Sequence, residues 1–218
     1  MTTSLKSNKI KVSSLKKEDI METSELIVNT FNKEGITRFA HNEKKEKYNH
    51  IFKAIGELKL KLYLETSQIV LAAKQDDKIV GLAIMKSNDM GFFKMVKAYF
   101  PQVLFYFIPL LRSMRFRNAI NISRLLKLKT KLKQPYYSLE ALGVHENFQG
   151  KGIGKLLLNR LDEILFNQTE KNGINLFTAD KPNNEIYESK GYQLIETNKA
   201  DDITVYHMYK ERDKVDIS

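Results

Sequence analysis

Cysteine is missing from all 218 residues. That absence excludes a disulfide scaffold, thiolate zinc sites, iron–sulfur clusters and a cysteine nucleophile together. Proline and glycine are scarce, at 4 and 10 residues, which excludes collagen-like chains. With 42% hydrophobic and 28% charged residues the composition is that of an ordinary globular protein, and the length favours one large domain. Long apolar runs are lacking too. The most apolar stretch, residues 98–111, falls short of the roughly 20 residues that cross a bilayer and contains Pro101 and Pro109. The first twelve residues offer no apolar core for a signal peptide. A cytoplasmic protein without a transmembrane segment is expected. His41, His50, His145 and His207 show no metal-ligand spacing, and no Ser/His/Asp arrangement or G-x-S-x-G elbow occurs, so no metal is assigned.

What the chain has in excess is positive charge, and that charge is local. Lys and Arg total 36 against 26 acids. Residues 91–135 hold ten of the bases and no acid, which leaves 26 of each elsewhere. The basicity therefore belongs to one segment and does not by itself mark a nucleic-acid-binding protein. Within it, Arg124, Lys127 and Lys131 are expected on one helical face, with Ile122, Leu125, Leu126 and Leu132 inward. The face is either solvated or docks on an anionic membrane or another polyanion; a nucleic-acid surface over residues 112–133 is the less favoured reading.

Periodicity orders the rest. A short strand is expected near 9–12, a helix over 19–31 carrying Ile20, Leu26, Ile27 and Phe31, and a charged, helix-prone stretch over 38–64. Strands follow at 68–74 and 78–85, joined by a turn at Gln75-Asp76-Asp77. After the insert, a strand over 136–144 leads into a glycine-rich turn. The helix beyond it has Ile153, Leu156, Leu157, Leu161, Ile164 and Leu165 on one face. A strand at 174–178, a helix near 183–190 and strands at 192–196 and 203–209 complete an α+β domain around a mixed sheet. One domain is expected over 1–210, with a helical insertion at about 91–135 and a polar tail at 211–218.

The informative stretch is Val144-His-Glu-Asn-Phe-Gln149-Gly150-Lys151-Gly152-Ile153-Gly154-Lys155. Glycines let a ligand approach the backbone, and the unpaired N–H groups at a helix start attract phosphate. Two phosphate motifs fail here. A P-loop needs Gly-Lys-Ser/Thr, but Leu156 follows Lys155 and Gln149 stands at the first glycine position; the dinucleotide pattern meets Lys155 at its third glycine. The pattern present is Q-x-x-G-x-G/A. It resembles the acetyl-CoA pyrophosphate loop of the GNAT superfamily of N-acetyltransferases. Upstream, Leu139-Glu140-Ala141-Leu142-Gly143-Val144 looks like that family's central strand. Downstream, Asn184-Glu-Ile-Tyr187-Glu-Ser-Lys-Gly191-Tyr192 is similar to its N-x-x-Y-E-x-x-G-F/Y signature.

The resemblance implies a twisted, mostly antiparallel sheet whose two central strands splay apart to admit acetyl-CoA. It implies that Leu142, Gly143 and Val144 lie along the pantetheine arm. The N–H groups of Gln149, Gly150, Lys151, Gly152, Ile153, Gly154 and Lys155 would bind the pyrophosphate, and Asn184 would contact the cofactor near its thioester. The implied reaction is direct attack by a neutral amine, without an acyl-enzyme. Tyr187 is the expected acid for the leaving thiolate, since a phenol with an unperturbed pKa near 10 stays protonated at neutral pH. Glu140 either takes the amine proton, directly or through water, or is a paired or surface carboxylate. The expected acceptor is a small-molecule amine, and the protein is expected to be a monomer or dimer. The rival reading is a non-catalytic acyl-CoA sensor, or an RNA-associated protein using the basic insert.

Overall fold

In a computed structural model of the chain, residues 9–31, 49–87, 116–168 and 170–212 are described. Seven strands form one sheet: β1 (Lys11–Ser14), β2 (Ile69–Gln75), β3 (Lys78–Ser87), β4 (Tyr137–Val144), β5 (Gly173–Thr178), β6 (Gln193–Ala200) and β7 (Ile203–Glu211). Their order across the sheet is β1-β2-β3-β4-β5-β7-β6. Every neighbour pair is antiparallel except β4 and β5, which run parallel. Among the described residues five helices cover the sheet: α1 (Ile20–Phe31), α2 (Asn49–Glu65), α3 (Phe116–Leu126), α4 (Ile153–Asn167) and α5 (Lys181–Glu188).

Strand alternation divides the core into two layers. On β2 and β3, Leu71, Ala73, Ala83 and Met85 face α4, while Val70, Ala72, Leu82 and Ile84 face α1 and α2. With both faces covered, these strands read as continuous apolar runs. Helix α4 contributes Ile153, Leu157, Leu158, Leu161 and Leu165, the 3–4 spacing of a single stripe, all at most 3% exposed. Burying each such side chain stabilises the fold by about 1.5–3 kcal/mol. A third cluster, Leu125, Ile203 and Val205, docks the end of α3 onto β7, on the face shared with α1 and α2.

The observed elements fall within a few residues of those expected, with one substantial difference. Helix α3 ends at Leu126, so Lys127 and Lys131 lie beyond it, not on a helical face with Arg124. The stretch after it is anchored from the sheet. Glu196 Oε2 accepts from the backbone N–H groups of Lys129 (3.0 Å) and Thr130 (2.8 Å), and those bonds hold its carboxyl below the usual range although burial acts the other way. The apolar stretch 98–111 and most of the expected insertion lie outside the described residues.

Candidate active site

The site begins where two strands part. β4 and β5 pair at Tyr137, Ser138 and Leu139, opposite Ile174, Asn175 and Leu176. Beyond Leu139, β4 runs on to Val144 with no strand partner on its β5 side among the described residues. The register against β3 steps from Met85–Leu139 to Ile84–Ala141, so Glu140 is an extra residue at a bulge; β4 stays paired with β3 beyond it, while its pairing with β5 ends at Leu139. The N–H of His145 donates to the Val80 carbonyl on the β3 side (2.9 Å). Strand alternation therefore turns the backbone groups of Val144 and Leu142 toward the gap.

A cleft of about 610 Å³ fills this gap. One wall is Leu142, Gly143 and Val144; above them stand Phe148, Gln149, Gly150, Gly152, Ile153, Gly154 and Lys155; Thr30 and Phe31 at the end of α1 and Asp180, Asn183, Ile186 and Tyr187 complete it. A Cβ at Gly143 would lie 3.0 Å from Thr30 Cγ2 and 3.3 Å from the Phe31 ring, so glycine there lets α1 come down onto β4.

The turn into α4 is built for exposed amides. Gly150 and Gly152 have φ of 74° and 76°, the left-handed region that side chains resist. His145 Nδ1 accepts from the N–H of Asn147 (3.2 Å), capping the short turn at Glu146–Phe148, and Gln149 Nε2 donates to the Val144 carbonyl (3.2 Å), tying the loop to the strand. Gly152 caps α4 without a side-chain acceptor, and the first return bond is from the N–H of Leu156 to the Gly152 carbonyl (3.0 Å). The amides of Ile153, Gly154 and Lys155 are the open donors of a helix start, and they line the cleft with the positive end of the helix dipole. Lys155 adds a charge to that wall, whereas Lys151 turns away and stacks over the Phe148 ring at 4.7 Å. A Cβ at Gly154 would meet only Val144 Cγ2 at 4.0 Å, leaving space for a ligand against the backbone.

Helix α5 forms the opposite wall. Pro182 sits in its first turn, where a missing N–H costs nothing. Tyr187 is 8% exposed, lines the cleft and meets Tyr192 edge-on at 5.8 Å. Burial, with Asp162 and Tyr187 nearby, pushes the Tyr192 phenol well above its ordinary range. The cleft takes Asn183 rather than Asn184 as a lining residue. The amide oxygen of Asn184 is buried without a hydrogen bond. Helical phase explains the choice through Ile186: Asn183 stands roughly 60° from Ile186 around the helix, whereas Asn184 stands roughly 160° from it, off the face that Asn183, Ile186 and Tyr187 present to the cleft.

Glu140 is heavily engaged. Its Oε2 receives Lys59 Nζ (2.7 Å) and the Tyr63 hydroxyl (2.5 Å), and its Oε1 receives Lys86 Nζ. Burial alone would raise its pKa, but the charge of Lys59 and the hydrogen bonds from Lys59, Lys86 and Tyr63 hold it at about 2. The same contact, added to burial, drives the Tyr63 phenol far up. Glu140 is not among the lining residues of the cleft. Sequence reasoning missed Lys59, Lys86 and Tyr63, since nothing local joins positions on α2 and β3 to a bulge on β4. It also missed Asp180 and Asn183; the spacing back from Tyr187 fits Asn183 and Asn184 alike and so does not choose between them.

Among the described residues, no helix is long and apolar enough to cross a membrane, and no group of three or more His, Asp or Glu residues is arranged to hold a metal ion. His207 is buried, with Nε2 2.9 Å from the Leu125 carbonyl, and serves the docking of α3.

The same fold recurs in solved structures. A Corynebacterium glutamicum protein described as histone acetyltransferase HPA2 and related acetyltransferase superposes with a TM-score of 0.67 at 16% identity, covering 95% of this chain and 99% of that one. The PaiA N-acetyltransferase of Thermoplasma acidophilum, solved in complex with coenzyme A, gives 0.57 at 14% identity, covering 93% and 99%. The ribosomal-protein-S18-alanine N-acetyltransferase of Escherichia coli gives 0.54 at 12%, covering 96% and 97%. No curated protein matches by sequence. The profile of the acetyltransferase (GNAT) family matches residues 36–192, more than half of the chain. With the parted strands, the amide-lined turn and the facing tyrosine, this makes the chain a member of the GNAT acetyltransferase family.

Proposed function

We propose that the protein transfers the acetyl group of acetyl-CoA to a primary amine of a small molecule, in a ternary complex. The observation that carries this reading is one continuous cleft with an amide-rich, Lys155-bearing helix start at one end and Tyr187 across the gap between β4 and β5. A pyrophosphate suits the N–H groups of Gly150–Lys155: Gly152 caps α4 with no side-chain acceptor, and open space lies where a Cβ would stand at Gly150 and Gly152. The extended pantetheine arm suits the gap-facing backbone groups of Leu142 and the N–H of Val144, as an added strand would, with Gly143 between them; the Val144 carbonyl already accepts from Gln149 Nε2. Asn183, with Asp180 behind it, faces that arm from α5.

In the reaction the amine nitrogen bonds to the thioester carbonyl carbon, the C–S bond breaks, and amide and CoA thiol are formed. Tyr187 donates the proton that the departing thiolate takes, and recovers one from water. The amine must shed a proton as well. Glu140, expected as a candidate base, is assigned a different part here: a carboxylate held at about 2 by two ammonium groups is a poor proton acceptor. It anchors Lys59, Lys86 and Tyr63 beside the fork, and the amine proton leaves through water.

Calorimetry with acetyl-CoA, followed by thiol release over an amine panel, tests the proposal. Binding together with amine-dependent thiol release is expected. Binding without turnover on any amine replaces the enzyme by an acyl-CoA sensor, and no binding removes both.

A further inference from the structure

Glu140 stands where β4 leaves β5, two residues short of Leu142 on the cleft wall, so roughly 7 Å from it along the strand. Two ammonium groups converge on it from different elements, Lys59 from α2 and Lys86 from β3. The carboxylate is the inner member, with its side chain 17% exposed, while the lysine side chains are 40% and 35% exposed. Both carboxylate oxygens are taken, one by Lys86 and the other by Lys59 and Tyr63. The cluster carries one net positive charge. Each ammonium has three donors and directs one of them to Glu140, which leaves others for a second acceptor; Lys59 Nζ also stands 5.4 Å from the centre of the Tyr63 ring.

This arrangement discriminates by charge. A polyamine arriving at the fork meets net positive charge and no open carboxylate at Glu140. An amine with a carboxylate or phosphate close by meets two partly desolvated ammonium donors, where charge-assisted hydrogen bonds are strongest. We infer that the acceptor is a compact amine that also bears an anionic group, and that Lys59 and Lys86 hold this anion beside the fork while the amine reaches the thioester. The inference rests on the proposed acetyl transfer and adds the acceptor class. Lys59 and Lys86 are positioning and specificity residues; neither touches the reacting atoms.

The test uses matched acceptor pairs with the full-length protein: an amino acid against its amide, and phosphoethanolamine against ethanolamine, with spermidine as a polyamine. Thiol release should give kcat/KM at least about tenfold higher for the anionic member of a pair, and low values for spermidine. In the Lys59→Gln/Lys86→Gln double variant the ratio should fall toward one through a rise in KM for the anionic member. Lys86→Arg should keep the preference. General damage to the fold would lower both members alike and leave the ratio standing, which would overturn the inference, as would a wild-type ratio at or below one. If no acceptor releases thiol, the transferase reading fails separately. Calorimetric titration of CoA-saturated protein with an N-acetyl amino acid and with its amide then decides the matter: tighter binding of the carboxylate supports the anion site, and equal binding or none overturns it.

Discussion

The hydroxyl of Tyr63 donates to Oε2 of Glu140 at 2.5 Å, joining α2 to the bulge of β4 across 77 residues of chain. With Lys59 and Lys86 it keeps Glu140 ionised, and that has a consequence for stability. The folded-state pKa of about 2 lies below the ordinary 4.5, so the contribution is complete above pH 4.5 and fades as the pH drops toward 2. At 1.36 kcal/mol per unit, the shift corresponds to roughly 3 kcal/mol. Glu140→Gln should therefore lower the urea midpoint clearly at pH 7, and the gap between variant and wild type should narrow by pH 3. An equal gap at both values would show that Glu140 acts through packing alone.

Gly152 adopts φ 76° with open space where a Cβ would go. An alanine there is strained by its backbone alone, by roughly 1–2 kcal/mol. Gly152→Ala should lower Tm by a few degrees. If the loop relieves the strain by rearranging, acetyl-CoA affinity should weaken by about tenfold. Thermal melts with and without acetyl-CoA read both effects; unchanged affinity would mean that this turn does not grip the ligand.

Tyr187 lines the cleft and is nearly buried. Tyr187→Phe keeps the ring and its contact with Tyr192, so stability should change little. Removing a general acid costs on the order of 10²-fold or more, and kcat should fall to that extent with KM for acetyl-CoA nearly constant. Steady-state kinetics with a thiol reagent measure this.

Asn198 Nδ2 donates to the carbonyls of Leu125 (3.0 Å) and Lys127 (3.1 Å), tying the end of α3 to β6. Asn198→Ala leaves the Lys127 carbonyl short of a donor and the Leu125 carbonyl with His207 Nε2 alone, a cost of about 1–3 kcal/mol. Trypsin should then cut after Lys127 and Lys129 about tenfold faster, while acetyl-CoA binding is retained. Cleavage at the wild-type rate would mean that other contacts hold the segment.

These sites differ in how much the chain discloses locally. The glycine turn and α4 were legible because both are short-range: alternating glycines, then a stripe from Ile153 to Leu165 at 3–4 spacing, although Leu156, expected inward, is exposed and Leu158 is buried instead. Tyr187 followed from its motif. Asn183 was obscured by its neighbour, because in an eight-residue helix only the exact phase decides which of two adjacent asparagines faces the cleft. The state of Glu140 was beyond reach: its partners come from Lys59, Tyr63 and Lys86, which only the folded sheet brings together. The end of α3 was misjudged because Lys127–Lys133 keeps a helix-compatible composition, while Glu196 and Asn198 capture its backbone from the distant β6.

Amide chemical shifts recorded during titration with CoA bear most directly on the main proposal. The account predicts that the largest perturbations fall on Gly150–Lys155 and on Leu142–Val144, and that 3′-dephospho-CoA, which keeps the pyrophosphate, reproduces those of the turn. Perturbations centred elsewhere, with the turn unmoved at saturation, would contradict it.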